Sequence, residues 1–89
     1  MTTREVTICN KLGLHARAAA KLVSVANGYG ASVTLEKQGQ QVNGKSIMGV
    51  MMLAASKGTA IRISVSGEGE EEVMQALVDL IDNKFGEGE

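Results

Sequence analysis

Proline and tryptophan are missing from this chain, and cysteine, histidine, tyrosine and phenylalanine each occur once. Each scarcity removes a class of function. A single cysteine, Cys9, excludes an internal disulfide and a cysteine zinc cluster and fits a reducing compartment. With a single histidine, His15, ordinary zinc sites are disfavoured as well, and neither a metal nor a cofactor is expected. Two aromatic side chains give no stacking platform for single strands, and a net charge of -1 argues against a general nucleic-acid binder. No apolar run is long enough to span a bilayer and no signal-peptide pattern opens the chain. The expectation is a cytoplasmic protein without nucleic-acid or membrane partners. At 89 residues, it should form one small domain, 1–89.

What is present centres on Gly13-Leu14-His15-Ala16-Arg17-Ala18-Ala19-Ala20-Lys21-Leu22. Ala16 to Asn27 holds strong helix formers, with Ala19, Leu22, Val23 and Ala26 on one buried face and Asn27-Gly28 as the stop. His15 therefore falls at or beside the helix N-cap, where backbone N–H groups lack partners and the peptide dipoles leave about half a positive charge. That setting discourages an imidazolium and keeps one ring nitrogen available as a nucleophile. A phosphoryl group on it could be held by the free N–H groups and the Arg17 guanidinium. An ordinary polar cap is the alternative reading of the same histidine. No acid is placed by sequence to orient the imidazole, so Ser46 and His15 do not make a triad.

The remaining segments read as follows. Arg4 to Cys9 is a half-buried strand with Val6 and Ile8 inward; Cys9 reads as a small packing residue. Ala31 to Lys37 and Gln40 to Val42 form a hairpin through Gln38-Gly39. Ser46 caps an apolar helix, Ile47 to Ala55, whose core face is Ile47, Val50, Leu53 and Ala54. Its opposite face carries Met48, Met51, Met52 and Ala55, which either fill core or form an interface. Lys57-Gly58 ends that helix. Ala60 to Ser66 is a strand with Ile61, Ile63 and Val65 inward. A last helix runs from about Glu70 to Lys84, with acidic residues in its first turn and Val73, Met74, Leu77, Leu80 and Ile81 as its stripe; residues 86–89 are a frayed acidic tail. The fold class is α+β: a four-stranded antiparallel sheet with three helices on one face, in the order βαββαβα.

Gly39-Gln40-Gln41-Val42-Asn43-Gly44-Lys45-Ser46 literally satisfies G-x-x-x-x-G-K-[ST], the phosphate-cradling loop of nucleotide-binding proteins. Val42 continues a hairpin strand, and the strand Ile61 to Ser66 ends without an aspartate to help hold magnesium. Nucleotide hydrolysis is therefore disfavoured.

Gly13-Leu14-His15-Ala16-Arg17 before an alanine-rich helix, Asn43-Gly44-Lys45-Ser46-Ile47-Met48-Gly49-Val50-Met51, and Lys57-Gly58 together resemble the HPr phosphocarrier proteins of the bacterial phosphotransferase system. The resemblance covers essentially the whole chain. It implies an open-faced β-sandwich and a monomeric carrier, not itself an enzyme, that takes phosphate from phosphoenolpyruvate through enzyme I on His15 Nδ1 and passes it to enzyme IIA components. It further implies that Arg17 helps hold the phosphate and that Ser46 is a regulatory phosphorylation site for an HPr kinase/phosphorylase, although plain capping explains Ser46 equally well. The implied partner surface comprises Ala16, Ala20, Lys21 and Ser24 of the first helix with Ile47, Met48, Met51 and Met52 of the second. Ala18 stands where the family usually has proline. The lead-in Asn10-Lys11-Leu12-Gly13-Leu14 looks somewhat more like the nitrogen-related NPr branch. A different class of function remains open: a non-catalytic regulatory module of the same fold that docks through Met48, Met51 and Met52 without phosphate on His15.

Overall fold

The computed structural model describes residues 1–87; Gly88 and Glu89 lie outside the described residues. Along the chain run β1 (Thr2–Thr7), α1 (Ala16–Asn27), β2 (Ser32–Lys37), β3 (Gln40–Asn43), α2 (Ile47–Met52), β4 (Ala60–Ser66) and α3 (Glu70–Asp82), then a 3-10 turn at Lys84–Gly86. The strands form one sheet in the order β1-β4-β2-β3, every neighbouring pair antiparallel. This is the expected α+β fold in the expected element order.

Period-two alternation sets the two faces of the sheet. Val6, Val33, Leu35, Ile61, Ile63 and Val65 are buried beneath the helices. Cross-strand neighbours Glu5, Arg62 and Glu36 fall on the other face, where Arg62 Nη1 lies 4.0 Å from Glu36 Oε1. One register slip would exchange these sets, so the apolar alternation fixes the pairing. The β2–β3 hairpin turns on Gln38 and Gly39, both with positive φ, which matches the twist that a two-residue hairpin loop requires.

Above the sheet, α1 buries Ala18, Ala19, Leu22, Val23 and Ala26. It packs against α2 and α3, and α3 covers β1 and β4. The α3 stripe is Val73, Met74, Leu77, Val78 and Ile81; Val78 takes the inward place expected of Leu80, which is half-buried. This helix stops at Asp82 rather than Lys84, because Lys84 and Phe85 turn to positive φ. β1 also ends earlier than expected, although Ile8 keeps backbone pairing by donating to Thr59 O at 2.9 Å and accepting from Gly58 N at 2.7 Å. Gly58 thus serves the entry to β4 instead of ending α2.

The second helix needs a larger correction. It closes at Met52, since Ala54 takes a left-handed φ of 51°. Lys37 Nζ donates to Leu53 O at 3.0 Å and to Ala54 O at 3.3 Å, which satisfies carbonyls left open at the helix end. Past that bend the periodicity is broken. Ala55 is buried and Ala54 exposed, the reverse of the expected assignment, and Ile47 is exposed as well.

The nucleotide-cradle pattern is not a loop in space. Gln40 to Asn43 pair with β2. A Cβ on Gly44 would stand 2.4 Å from Val33 Cγ1, so this glycine allows close packing of chain on chain. Lys45 Nζ is bonded to Tyr29 O at 2.8 Å. Neither residue is arranged around a phosphate.

Candidate functional site

His15 is the N-cap of α1, with extended backbone angles, and its Nδ1 accepts from Arg17 N at 3.3 Å. The loop before it is held tightly. Leu14 N donates to Ala55 O at 2.9 Å, and Asn10 Nδ2 donates to Gly13 O at 2.8 Å. Gly13 sits at φ +67°, and a Cβ there would meet Ala55 O at 2.4 Å. A side chain at this position cannot be accommodated without moving the loop, so glycine is required to bring His15 against the end of α2.

An unexpected carboxylate completes the surroundings. His15 Nε2 is in hydrogen-bonding contact with Glu87 Oε2, while Glu87 Oε1 accepts from Asn10 Nδ2 at 2.9 Å. The expectation of a frayed tail is therefore wrong for Glu87, and an acid does contact the imidazole. Phe85 anchors the tail: it is only 1% exposed, and Lys21 Nζ donates to its carbonyl at 2.6 Å. The Asn10 amide first and the His15 ring second hold the Glu87 carboxyl below the usual carboxylate range. Asn10 is fully buried and uses its amide for both Gly13 and Glu87, so it ties the His15 loop to the tail.

Around the ring lies an open hollow of about 720 Å³, lined by Lys11, His15, Ala16, Arg17, Lys21 and Glu87 among others. Three cations there, of which Lys21 also bonds Phe85 O, stand beside one carboxylate among the described lining residues. With the positive end of the α1 dipole, the hollow favours an anion. A second hollow of about 420 Å³ over β2 and β3 offers Lys45 as a cation, but that ammonium is already bonded to Tyr29 O.

The remaining sequence-predicted residues fall on two helices that pack together. Ala16, Arg17, Ala20 and Ser24 are exposed on α1, and Lys21 is half-buried through its bond to Phe85. On α2, Met48 is 74%, Met52 64%, Ile47 43% and Met51 42% exposed, so the methionines do not fill core. Ser46 caps α2, its Oγ accepting from Gly49 N at 3.1 Å. Asn10 and Glu87 went unassigned in the sequence. The one available signal was Phe85, the lone phenylalanine, placed where an apolar anchor can tie down a chain end.

A four-stranded open sandwich that presents a helix-capping histidine among cations defines a class of small α+β domain that offers a histidine to an anion. Comparison with known proteins makes that specific. The family described as "PTS HPr component phosphorylation site" matches residues 2–83. A "Phosphocarrier protein HPr" of Xylella fastidiosa is 54% identical over 87 residues, 98% of each chain. A "Phosphocarrier protein NPr" of Shewanella violacea is 39% identical, covering 94% of this chain and 92% of its own. Relatives named HPr thus stand at higher identity than this NPr, despite the NPr-like lead-in. The crystal structure of HPr from Thermoanaerobacter tengcongensis superposes with a TM-score of 0.95 at 47% identity, covering 98% of both chains; an HPr dimer of that organism gives 0.78, covering 98% of this chain and all of its own. This chain belongs to the HPr family of phosphocarrier proteins of the phosphotransferase system.

Proposed function

We propose that this phosphocarrier works through a phosphohistidine at His15. The Nδ1 lone pair takes a phosphoryl group from enzyme I, which is charged by phosphoenolpyruvate, and surrenders it to an enzyme IIA component. The observation that carries the reading is the state of Nδ1: it accepts a backbone N–H at the helix N-terminus and so presents a lone pair, not a proton, beside Arg17. The Arg17 guanidinium and the free N–H groups would hold the transferred phosphate, with Lys11 and Lys21 on the same rim. The protein is then a covalent carrier whose turnover depends on its partners.

Ala16, Ala20, Lys21 and Ser24 with Ile47, Met48, Met51 and Met52 form the docking surface in this reading. Small residues on α1 leave a low floor beside flexible, polarizable thioethers, a combination suited to several partners in turn. A small apolar patch with a cationic rim fits weak, fast exchange by a monomer. Phosphate on Ser46 would be tolerated by the helix it caps and would place roughly two negative charges beside the methionines. Partners would then be opposed without unfolding the carrier, under control of an HPr kinase/phosphorylase.

Intact mass after incubation with phosphoenolpyruvate, magnesium and enzyme I tests the carrier step. One phosphate is expected, lost in acid, kept in base and absent from His15→Ala. No added phosphate, with the enzyme I active on another carrier, would overturn it and leave a docking module acting through the methionines. Kinase labelling of Ser46→Ala as strong as wild type would remove the regulatory site.

A further inference from the structure

We propose that Glu87 is a positioning residue for His15: its carboxylate holds the proton on Nε2, which leaves Nδ1 unprotonated at the helix N-terminus and offsets the ring charge that arises on phosphoryl transfer. The inference rests on the reading that His15 carries the phosphate.

The two ring contacts select one tautomer. Nδ1 accepts from Arg17 N and so is unprotonated; Nε2 faces a carboxylate oxygen, which can only accept, and so carries the hydrogen. Glu87 is itself oriented. Its second oxygen accepts from Asn10, whose buried amide also bonds Gly13 O in the loop that delivers His15. The tail is brought to this place at a conformational cost, since Lys84 and Phe85 both adopt positive φ without being glycine. Buried Phe85 and the Lys21 bond to its carbonyl hold that bend closed. Such anchoring is not needed for a solvated terminus.

During transfer, the Nδ1 pair forms the N–P bond while the bond from phosphorus to the donor atom breaks, its pair returning to the donor. The Nε2 proton stays in place, so the ring becomes cationic next to Glu87. On transfer to the acceptor the N–P pair returns to Nδ1, and a neutral Nε2–H imidazole is regenerated. A carboxylate at Nε2 strengthens Nδ1 as a nucleophile on the inward step and, on the outward step, keeps the proton on Nε2 so that the ring leaves as neutral imidazole and not as imidazolate.

The test uses the full chain as wild type, Glu87→Ala and Glu87→Gln. Proton and 15N spectra at neutral pH report the His15 Nε2–H, and steady-state assays with enzyme I report kcat and KM. The expected result is an Nε2–H protected from water exchange in wild type and lost to exchange in Glu87→Ala, with kcat reduced about tenfold and KM little changed. Glu87→Gln, which keeps an acceptor oxygen but no charge, should retain more Nε2–H protection than Glu87→Ala and show an intermediate kcat. An unchanged Nε2–H in Glu87→Ala would overturn the contact, and lost protection with unchanged kcat would overturn its role in positioning. If wild type takes no phosphate, the carrier reading and this inference fall together, whereas normal charging of wild type with an indifferent Glu87→Ala removes Glu87 alone. Matching urea midpoints for the variants keep a folding defect from imitating the effect.

Discussion

Replacing Gly13 with alanine should damage both the stability of the domain and the placement of its histidine, and Gly39→Ala supplies a matched control. Both glycines have left-handed φ, +67° and +85°. An alanine forced into that region costs about 1–2 kcal/mol at either site. The environments then differ: a Cβ at Gly39 meets nothing within 4 Å, whereas at Gly13 it would press on Ala55 O at 2.4 Å and Ser56 Cα at 2.8 Å. Both neighbours are backbone, so relief requires separating the His15 loop from the end of α2. That movement breaks the Leu14–Ala55 hydrogen bond, worth about 1 kcal/mol, with about 1 more for leaving buried groups unpaired. Gly13→Ala should therefore lose about 2 kcal/mol more than Gly39→Ala. In a domain of this size the difference corresponds to a gap of about 8–16 °C in Tm. Urea unfolding followed by circular dichroism, with equal slopes for the two variants, measures it. Below the transition, a displacement of His15 by about 1 Å would slow phosphorylation by up to about a hundredfold. Equal destabilisation of the two variants would refute the close-approach reasoning.

Other consequences are as direct. Ser46→Ala should cost about 1 kcal/mol in urea unfolding by removing the cap on Gly49 N, while Ser46→Asp should keep most of that stability and weaken partner binding. Met48→Asp and Met52→Asp change exposed side chains, so unfolding should shift by less than about 0.5 kcal/mol; the KM for the carrier in enzyme I assays should rise. Phe85→Ala removes a fully enclosed ring and should cost about 3 kcal/mol, with the amide resonance of Glu87 moving toward its unfolded position. Because contacts with Asn10 and His15 depress the Glu87 carboxyl, their stabilisation is present above the ordinary carboxylate pKa of about 4.3 and is lost as pH falls through the lower folded value. Carboxyl 13C shifts against pH would show Glu87 titrating below the ordinary glutamate value.

The main architecture could be read from side-chain periodicity. β4 alternates so regularly that its inward face was plain, and α1 was bounded by the histidine at one end and Asn27-Gly28 at the other. α2 misled because six helical residues hold too little period to locate a face, and the left-handed Ala54 then turns Ala55 inward with no glycine to announce the bend. His15 and Arg17 were legible because they lie on one local motif. Glu87 was not: it reaches His15 across 72 positions, through a contact that no local spacing encodes. Asn10 likewise looked like loop punctuation, since its role depends on that distant tail.

The sheet order also governs when the site can exist during folding. β4 lies between β1 and β2 although it is the last strand in sequence, and Thr2 must find Val65 to complete their ladder. Only the β2–β3 hairpin can close locally. Such distant pairing favours slow search over rapid zipping. An emerging polypeptide that has not yet reached Ala60 can coil its first helix and still have no partner for β1, so the histidine acquires its fixed setting in the final steps of folding rather than with the helix that bears it.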